Sequence, residues 1–333
     1  MLMNTRNFRI AIVRLSALGD IVNTAVTLQI IRKHYPDATI DWYVEEAFAP
    51  ILNNHPLIHE VISIPLKRIK KTKSLTLLRK TIQSLKSRPP YDQIIDAQGL
   101  LKSALVTYFL KGKVHGFDRF SAREKLAARF YDTASSIPYE LNVIKRNVLV
   151  ITEALNLSYD ENDILDKEPL FPIQEKPQTL SKTKNIACVI GASWPSKCYP
   201  KERFATLCAG LSYPCYLIWG NESERLDAEW IASHVSNALI APKMSLSELV
   251  NFIAHCDLII GNDTGPTHMA WAMNRASITL FGPTNERMIF PTNINIGIKS
   301  LSTVNILKID RSDFSIRDID PSTILQKAKE LLV

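Results

Sequence analysis

Leu258-Ile259-Ile260-Gly261-Asn262-Asp263-Thr264-Gly265-Pro266-Thr267-His268-Met269-Ala270 passes from an apolar run through a polar turn into the start of a helix. Four apolar or small residues lead to Asn262-Asp263, a turn pair; Thr264 then offers a hydroxyl N-cap, Gly265 an uncrowded backbone and Pro266 the favoured first helical position. Strand, tight turn and helix in that order are the unit of α/β domains. The same geometry suits an anion: the unpaired N–H groups and positive end of the helix would hold a diphosphate, and Gly265 lets an oxygen come close to the backbone. A plain capped helix after a strand accounts for these residues equally well, so the stretch speaks for a fold class and leaves function open.

The rhythm extends in both directions. Upstream, strands over 185–191, 214–219 and 238–240 alternate with helices over 201–211, 223–235 and 245–255. Downstream, the helix runs to about Asn274, a strand follows over 276–281, and a last helix over 322–332 follows Pro321. The first half repeats the pattern, with strand 8–15, the glycine loop Ser16-Ala17-Leu18-Gly19-Asp20 and helix 21–34. Strand 38–44 pairs with helix 47–54, strand 61–66 with helix 74–87, and strand 91–96 leads through Ala97-Gln98-Gly99 into helix 100–110. Helical segments over 123–134 and 143–156 complete it. Such alternation predicts parallel sheets covered on both faces.

At 333 residues the chain exceeds one ordinary core and suits two domains. The polar segment 157–184, rich in Asp, Glu, Pro, Ser and Lys, reads as the connection. Two similar α/β domains joined in this way are expected to enclose a cleft.

The net charge of +7 is local: residues 61–91 hold nine basic side chains and no acidic one, which leaves −2 for the rest. A local patch argues for a specific anionic partner, and without interleaved aromatics it argues against single-stranded nucleic acid. Five cysteines with no C-x-x-C pair fit free thiols in a reducing compartment. Met1 to Arg9 lacks the apolar core of a signal peptide, and no run of about 18 apolar residues occurs. Neither G-x-G-x-x-G nor a P-loop motif is present.

Candidate chemistry collects at the carboxyl ends of the predicted strands, where open α/β sheets place ligands. Asp20 follows the first strand, either as an acid/base group or as a helix N-cap. Lys197 follows the first strand of the second half, to neutralise a leaving phosphate or as an exposed loop lysine. Glu222 follows Trp219-Gly220-Asn221, to bind a sugar hydroxyl or to start a helix. His268, one turn into its helix, donates to a phosphate oxygen or packs as a core histidine. Lys67-Arg68-Ile69-Lys70-Lys71-Thr72-Lys73 reads as a loop, either solvated surface or a clamp for phosphates and carboxylates. Asp318 and Asp320 read as surface rather than a metal site.

Over nearly its whole length the chain resembles the bacterial lipopolysaccharide heptosyltransferases. The carriers are Ser16-Ala17-Leu18-Gly19-Asp20, Val44-Glu45-Glu46, the run Asp96 to Ala104, His115-Gly116-Phe117-Asp118, Arg123-Glu124-Lys125-Leu126-Ala127 and Phe130-Tyr131. In the second half they are Pro242-Lys243-Met244-Ser245-Leu246, Asp263-Thr264-Gly265 with His268, and Phe281-Gly282-Pro283-Thr284. The Asp96 run and the Val-Glu-Glu triplet are similar to the type I branch in particular.

The resemblance implies the GT-B fold: two Rossmann-like domains facing each other across a cleft, 1–165 for the acceptor and 185–333 for the donor, with a linker over 166–184. It also implies that helix 322–332 folds back on the first domain. It implies inverting transfer of L-glycero-D-manno-heptose from ADP-heptose to the inner Kdo of Kdo2-lipid A. Transfer by a type II enzyme to the next heptose, or a nucleotide-sugar 2-epimerase on the same fold, are the rival readings. Asp20 matches the base and Lys197 the donor-site lysine, both catalytic. Glu222, Met244, Asp263, Thr264, Gly265 and His268 match the donor pocket. Ser16, Gly19, Lys67, Arg68, Lys70, Lys71, Lys102, Arg123 and Arg146 fall where the family places acceptor contacts, although Asn142 stands where a histidine is expected. No metal or cofactor is implied. The implied location is the cytoplasmic face of the inner membrane, in peripheral contact with its anionic surface.

Overall fold

The computed structural model describes residues 8–333; Met1 to Asn7, part of the N-terminus weighed above as a signal peptide, lies outside the described residues. The chain divides into two compact units, the first ending at Pro172 and the second starting at Ile173. In the first unit the order is β1 (Arg9–Val13), α1 (Leu18–Thr24), α2 (Val26–His34), β2 (Thr39–Glu45), β3 (Glu60–Ile64), α3 (Leu66–Thr72), α4 (Leu75–Lys86), β4 (Gln93–Asp96), α5 (Leu101–Tyr108), β5 (Lys113–Phe117), β6 (Thr133–Ser135), α6 (Val143–Leu155) and α7 (Asn162–Leu165). The second unit continues with β7 (Ile186–Val189), α8 (Lys201–Ala209), β8 (Cys215–Ile218), α9 (Glu222–His234), β9 (Ala238–Ile240), α10 (Leu246–Ala254), β10 (Leu258–Asn262), α11 (Gly265–Ala272), β11 (Ala276–Phe281), β12 (Asn295–Lys299) and α12 (Pro321–Leu331).

Each unit holds one six-stranded parallel sheet. The first has the order β3-β2-β1-β4-β5-β6, and the second, read from β9, has the same order: β9-β8-β7-β10-β11-β12. This is the doubly wound 3-2-1-4-5-6 arrangement, whose winding reverses beside the first strand. That reversal falls between β1 and β4 in one unit and between β7 and β10 in the other. Central strands are buried on both faces, so Ile12 lies in register with Trp42 and Ile95, and Ile260 with Cys188 and Ile278, all fully buried.

Several elements differ from expectation. The helix predicted over 21–34 is interrupted at Ala25, where the Thr24 and Thr27 hydroxyls donate to the carbonyls of Asp20 and Thr24, both at 2.7 Å. The predicted helix over 47–54 is a 3₁₀ turn over Glu46–Ile51 with Pro50 inside it. The basic loop is helix α3: Lys and Arg are good helix formers, and Lys73 ends it in the left-handed region at φ 51°. Where a helix was expected over 123–134, Lys125–Phe130 form a 3₁₀ turn and Thr133 starts β6; β5, β6 and β12 are strands that the sequence reading missed.

The connecting segment is partly packed, with Lys167, Leu170, Phe171 and Leu180 buried. The last helix, expected to return to the first domain, packs on α8 and β11 of its own unit, where Ile324 and Ala328 are fully buried in the core.

Candidate active site

In the first unit, the loop after β1 is braced from three sides. Arg14 is buried, and its Nη2 lies 3.0 Å from Asp20 Oδ1, while its Nη1 donates to the Ala97 carbonyl. The Ala17 N–H donates to Asp20 Oδ2 at 3.0 Å. Asp20 is therefore not the N-cap; it sits in the first turn of α1 and folds back on the residue that is. Its side chain keeps 26% exposure, which leaves a fixed carboxylate that a substrate hydroxyl can reach. Gln98 ties the next loop to this one: its Oε1 accepts from Leu15 N–H at 2.8 Å and its Nε2 donates to Ser16 Oγ at 3.2 Å. Lys102 Nζ donates to the same hydroxyl. Burial, with Lys67 and Arg14 nearby, pulls the Lys102 ammonium below the usual lysine range against Glu45 and Glu124.

Asp96 builds the turn that carries Gln98. Its Oδ1 accepts from Gln98 N–H at 2.8 Å and Gly99 N–H at 3.1 Å, and its Oδ2 from Tyr131 OH at 2.8 Å. Gly99 is at φ +68°, where a side chain would be strained and would also press on Phe117. Burial pushes the Asp96 carboxyl up, against these bonds.

The basic residues separate into two groups. Lys67, Arg68, Lys70, Lys71 and Arg123 are exposed. Lys67 Nζ lies 5.0 Å over the Phe48 ring, and Arg68 Nη1 lies 3.3 Å from Glu46 Oε1. Arg146 is different. It is buried on α6, and its guanidinium donates to the carbonyls of Ile137 at 2.8 Å, Pro138 at 2.5 Å and Ser121 at 2.8 Å. Those bonds tie the loop after β5 to the segment after β6, so the guanidinium is engaged by the protein's own backbone. Asn142 caps α6 through Ile144 N–H at 2.9 Å.

In the second unit, Lys197, Asp263 and His268 meet in the interior. Lys197 Nζ lies 2.8 Å from Asp263 Oδ2, and His268 Nε2 lies 3.0 Å from Oδ1. Lys197 is buried, not the exposed loop lysine of the bland alternative. Burial alone would raise the Asp263 carboxyl; the Lys197 ammonium and His268 ring reverse that and hold it well below the usual carboxylate range. Asn262, expected as a turn residue, is the buried end of β10. Its Oδ1 accepts from Tyr199 N–H at 3.0 Å and its Nδ2 donates to the carbonyls of Ile190 and Gly191 at 2.9 and 3.2 Å, so it fixes the loop bearing Lys197. Thr264 occupies the N-cap position of α11 in extended backbone, but its hydroxyl makes no capping bond. Gly265 opens the helix and Pro266 is its second residue, one place later than expected.

A cavity of about 710 Å³ opens along the loop that carries Lys197, lined in part by Ser193, Trp194, Asn221, Ser223, Glu224 and Arg317 and by none of Lys197, Asp263 and His268. Glu222 does not line it. Its carboxylate is exposed and held by Arg225, which keeps it below the usual range. Glu224, two residues on, accepts from Gly220 N–H at 2.6 Å and Asn221 Nδ2 at 2.7 Å, and fills the space beside Gly191. Met244 is half-buried in the loop after β9.

Among the described residues two groups could supply three metal ligands. Cys188, Cys208 and Cys215 are buried in the apolar core; in the other group Asp41 is already bonded to Arg9, Tyr91 and His59, and Glu60 to Arg88. Asp320 caps α12 through Ser322 N–H at 2.8 Å.

Comparison with known proteins agrees with this layout. The model of glycosyltransferase family 9 (heptosyltransferase) matches residues 78–313. Lipopolysaccharide heptosyltransferase 1 of Campylobacter coli is 42% identical, covering 97% of this chain and 98% of its own. The Pseudomonas aeruginosa protein of the same name is 33% identical over 83% and 79% of the two chains. Among solved structures, E. coli heptosyltransferase WaaC with ADP is similar at TM-score 0.82 and 25% identity, over 97% of this chain and 100% of that one.

Proposed function

The chain belongs to glycosyltransferase family 9, the heptosyltransferases, and from that premise we propose that it moves L-glycero-D-manno-heptose from ADP-heptose to the inner Kdo of Kdo2-lipid A. The observation that carries the reading is a pair of sites, each at the reversal point of its own sheet: a fixed carboxylate in one unit, and in the other a helix start preceded by Asp263, which pairs with the buried Lys197.

In this proposal the first unit supplies the base. Asp20 takes the proton of the acceptor hydroxyl as its oxygen attacks the anomeric carbon, and the diphosphate leaves from the opposite face, so the configuration inverts. Arg14 and the Ala17 N–H hold the carboxylate against rotation. Ser16, Gly19 and Lys102 border it, and Lys67, Arg68, Lys70, Lys71 and Arg123 meet the acceptor's phosphates and carboxylates.

The second unit holds the donor. Lys197 and the N–H groups at the start of α11 receive the diphosphate, with Gly265 allowing the approach. Asp263 orients Lys197 and His268 through its two oxygens. Glu224 takes the role of ribose contact that the resemblance gave to Glu222, because it lines the cavity; Met244 flanks the adenine.

Peripheral contact with an anionic membrane face is supported by the exposed basic surface of α3 and α4. No helix among the described residues is long and apolar enough to cross a membrane. The test is mass spectrometry of Kdo2-lipid A incubated with ADP-heptose and the protein. One added heptose is the expected product; turnover of ADP-heptose without acceptor would indicate an epimerase instead.

A further inference from the structure

Eight buried side-chain nitrogen or oxygen atoms among the described residues have no hydrogen-bond partner, and four of them lie in three loops of the second unit. These are Trp194 Nε1 and Ser196 Oγ after β7, Thr264 Oγ1 after β10 and Thr284 Oγ1 after β11. The three strands are neighbours in the sheet. The other four are nitrogens of Arg9, Arg14, Asn147 and Arg275, spread over both units. All three unpartnered hydroxyls therefore fall at one end of one sheet. A hydroxyl rotates to find a partner and can both donate and accept, so it is seldom stranded inside a protein. Ser196 is fully buried and Thr284 is 6% exposed.

The surroundings show what these hydroxyls lack. Ser196 precedes Lys197 in a 3₁₀ turn, and Thr264 follows Asp263. Asp263, the acceptor of that cluster, already has both oxygens engaged by Lys197 and His268. The groups beside it can all donate: the Lys197 ammonium, the N–H groups at the start of α11 and the stranded hydroxyls. Such a set matches a ligand that only accepts, and a diphosphate is one.

We infer that Ser196 and Thr284, together with Thr264, donate to the diphosphate oxygens of the nucleotide sugar. The inference rests on the donor-site reading above and adds two residues to it. Ser196 lies immediately before Lys197 in the loop after β7, and Thr284 lies in the loop after β11.

Titration of the full chain with ADP, alongside thermal unfolding, tests it in S196A, T284V and T284S. S196A and T284V should each weaken ADP binding about tenfold or more, the usual loss of a hydrogen bond to a charged acceptor. Their unfolding midpoints should stay level or rise, because each change removes a buried polar atom that has no partner. T284S, which keeps the hydroxyl, should retain wild-type affinity. Wild-type ADP affinity in S196A and T284V, or lowered midpoints as the sole effect, would overturn the assignment. Failure of the wild-type chain to bind ADP would sink the donor-site reading itself.

Discussion

A carboxylate that accepts a proton during attack must be held still and left open on one side, and Asp20 has an ion pair with Arg14, a bond from Ala17 N–H and a partly exposed side chain. Asp20→Asn keeps the size and the fold but cannot take the proton. It should lower kcat by about 10²- to 10⁴-fold with ADP affinity unchanged, read by steady-state kinetics and calorimetry. Equal loss of ADP binding would make Asp20 a structural residue. The two glutamates at the start of α9 give a second contrast. Glu222 is tied to Arg225 on the exposed side, whereas Glu224 lies against the cavity. E224Q should therefore raise the KM for ADP-heptose about tenfold, and E222Q should leave it within about twofold. The sequence Trp-Gly-Asn-Glu-Ser-Glu offers both residues at the same strand end, and only the direction each side chain takes tells them apart.

Elements were legible to different degrees. Long apolar central strands such as β1, β10 and β11 stand out in the sequence because both faces are buried, whereas β6 has three residues and β12 carries Gly297 and a terminal lysine, so neither has a readable period. Residues 67–73 looked like a loop because charge was dense, yet the same side chains favour a helix when nothing competes for the backbone. With that correction, α3 and α4 form a basic, outward-facing pair. Only Leu85 of α4 is buried, and Leu75 and Leu78 are exposed. Basic charge with outward leucines is the composition of a helix that rests on an anionic bilayer. The chain should co-sediment with vesicles containing phosphatidylglycerol and not with pure phosphatidylcholine, and the binding should weaken as salt is raised. Replacing Leu75 and Leu78 together by serine should reduce it about tenfold or more, from lost apolar burial. Binding indifferent to both lipid charge and the leucines would exclude this surface.

At the scale of the whole molecule, two sheets of the same order account for why Asp20 and Lys102 in one unit, and Lys197 and Asp263 in the other, could be placed from sequence: they follow the first and fourth strands of the winding. What stayed hidden was the bracing by Arg14, Gln98 and Asn262, whose partners lie far along the chain. The connecting segment shows the same limit, because its polar composition suggested a free linker while Lys167 is buried against the first unit at 7% exposure. Burial pushes the Lys167 ammonium down to about 8 from 10.5. In the unfolded chain it keeps the ordinary value, so below pH 8 both states are charged and the folded state holds the ammonium at a net cost. As pH rises through 8 the folded state releases the proton before the unfolded state does, and stability climbs until about pH 10.5. The first unit should therefore gain on the order of 3 kcal/mol from this group across that interval, measured as the urea midpoint against pH. K167M removes the titrating group, so the variant should lack this climb in stability between pH 8 and pH 10.5. Parallel curves for the two proteins would show that Lys167 keeps its charge in the folded state.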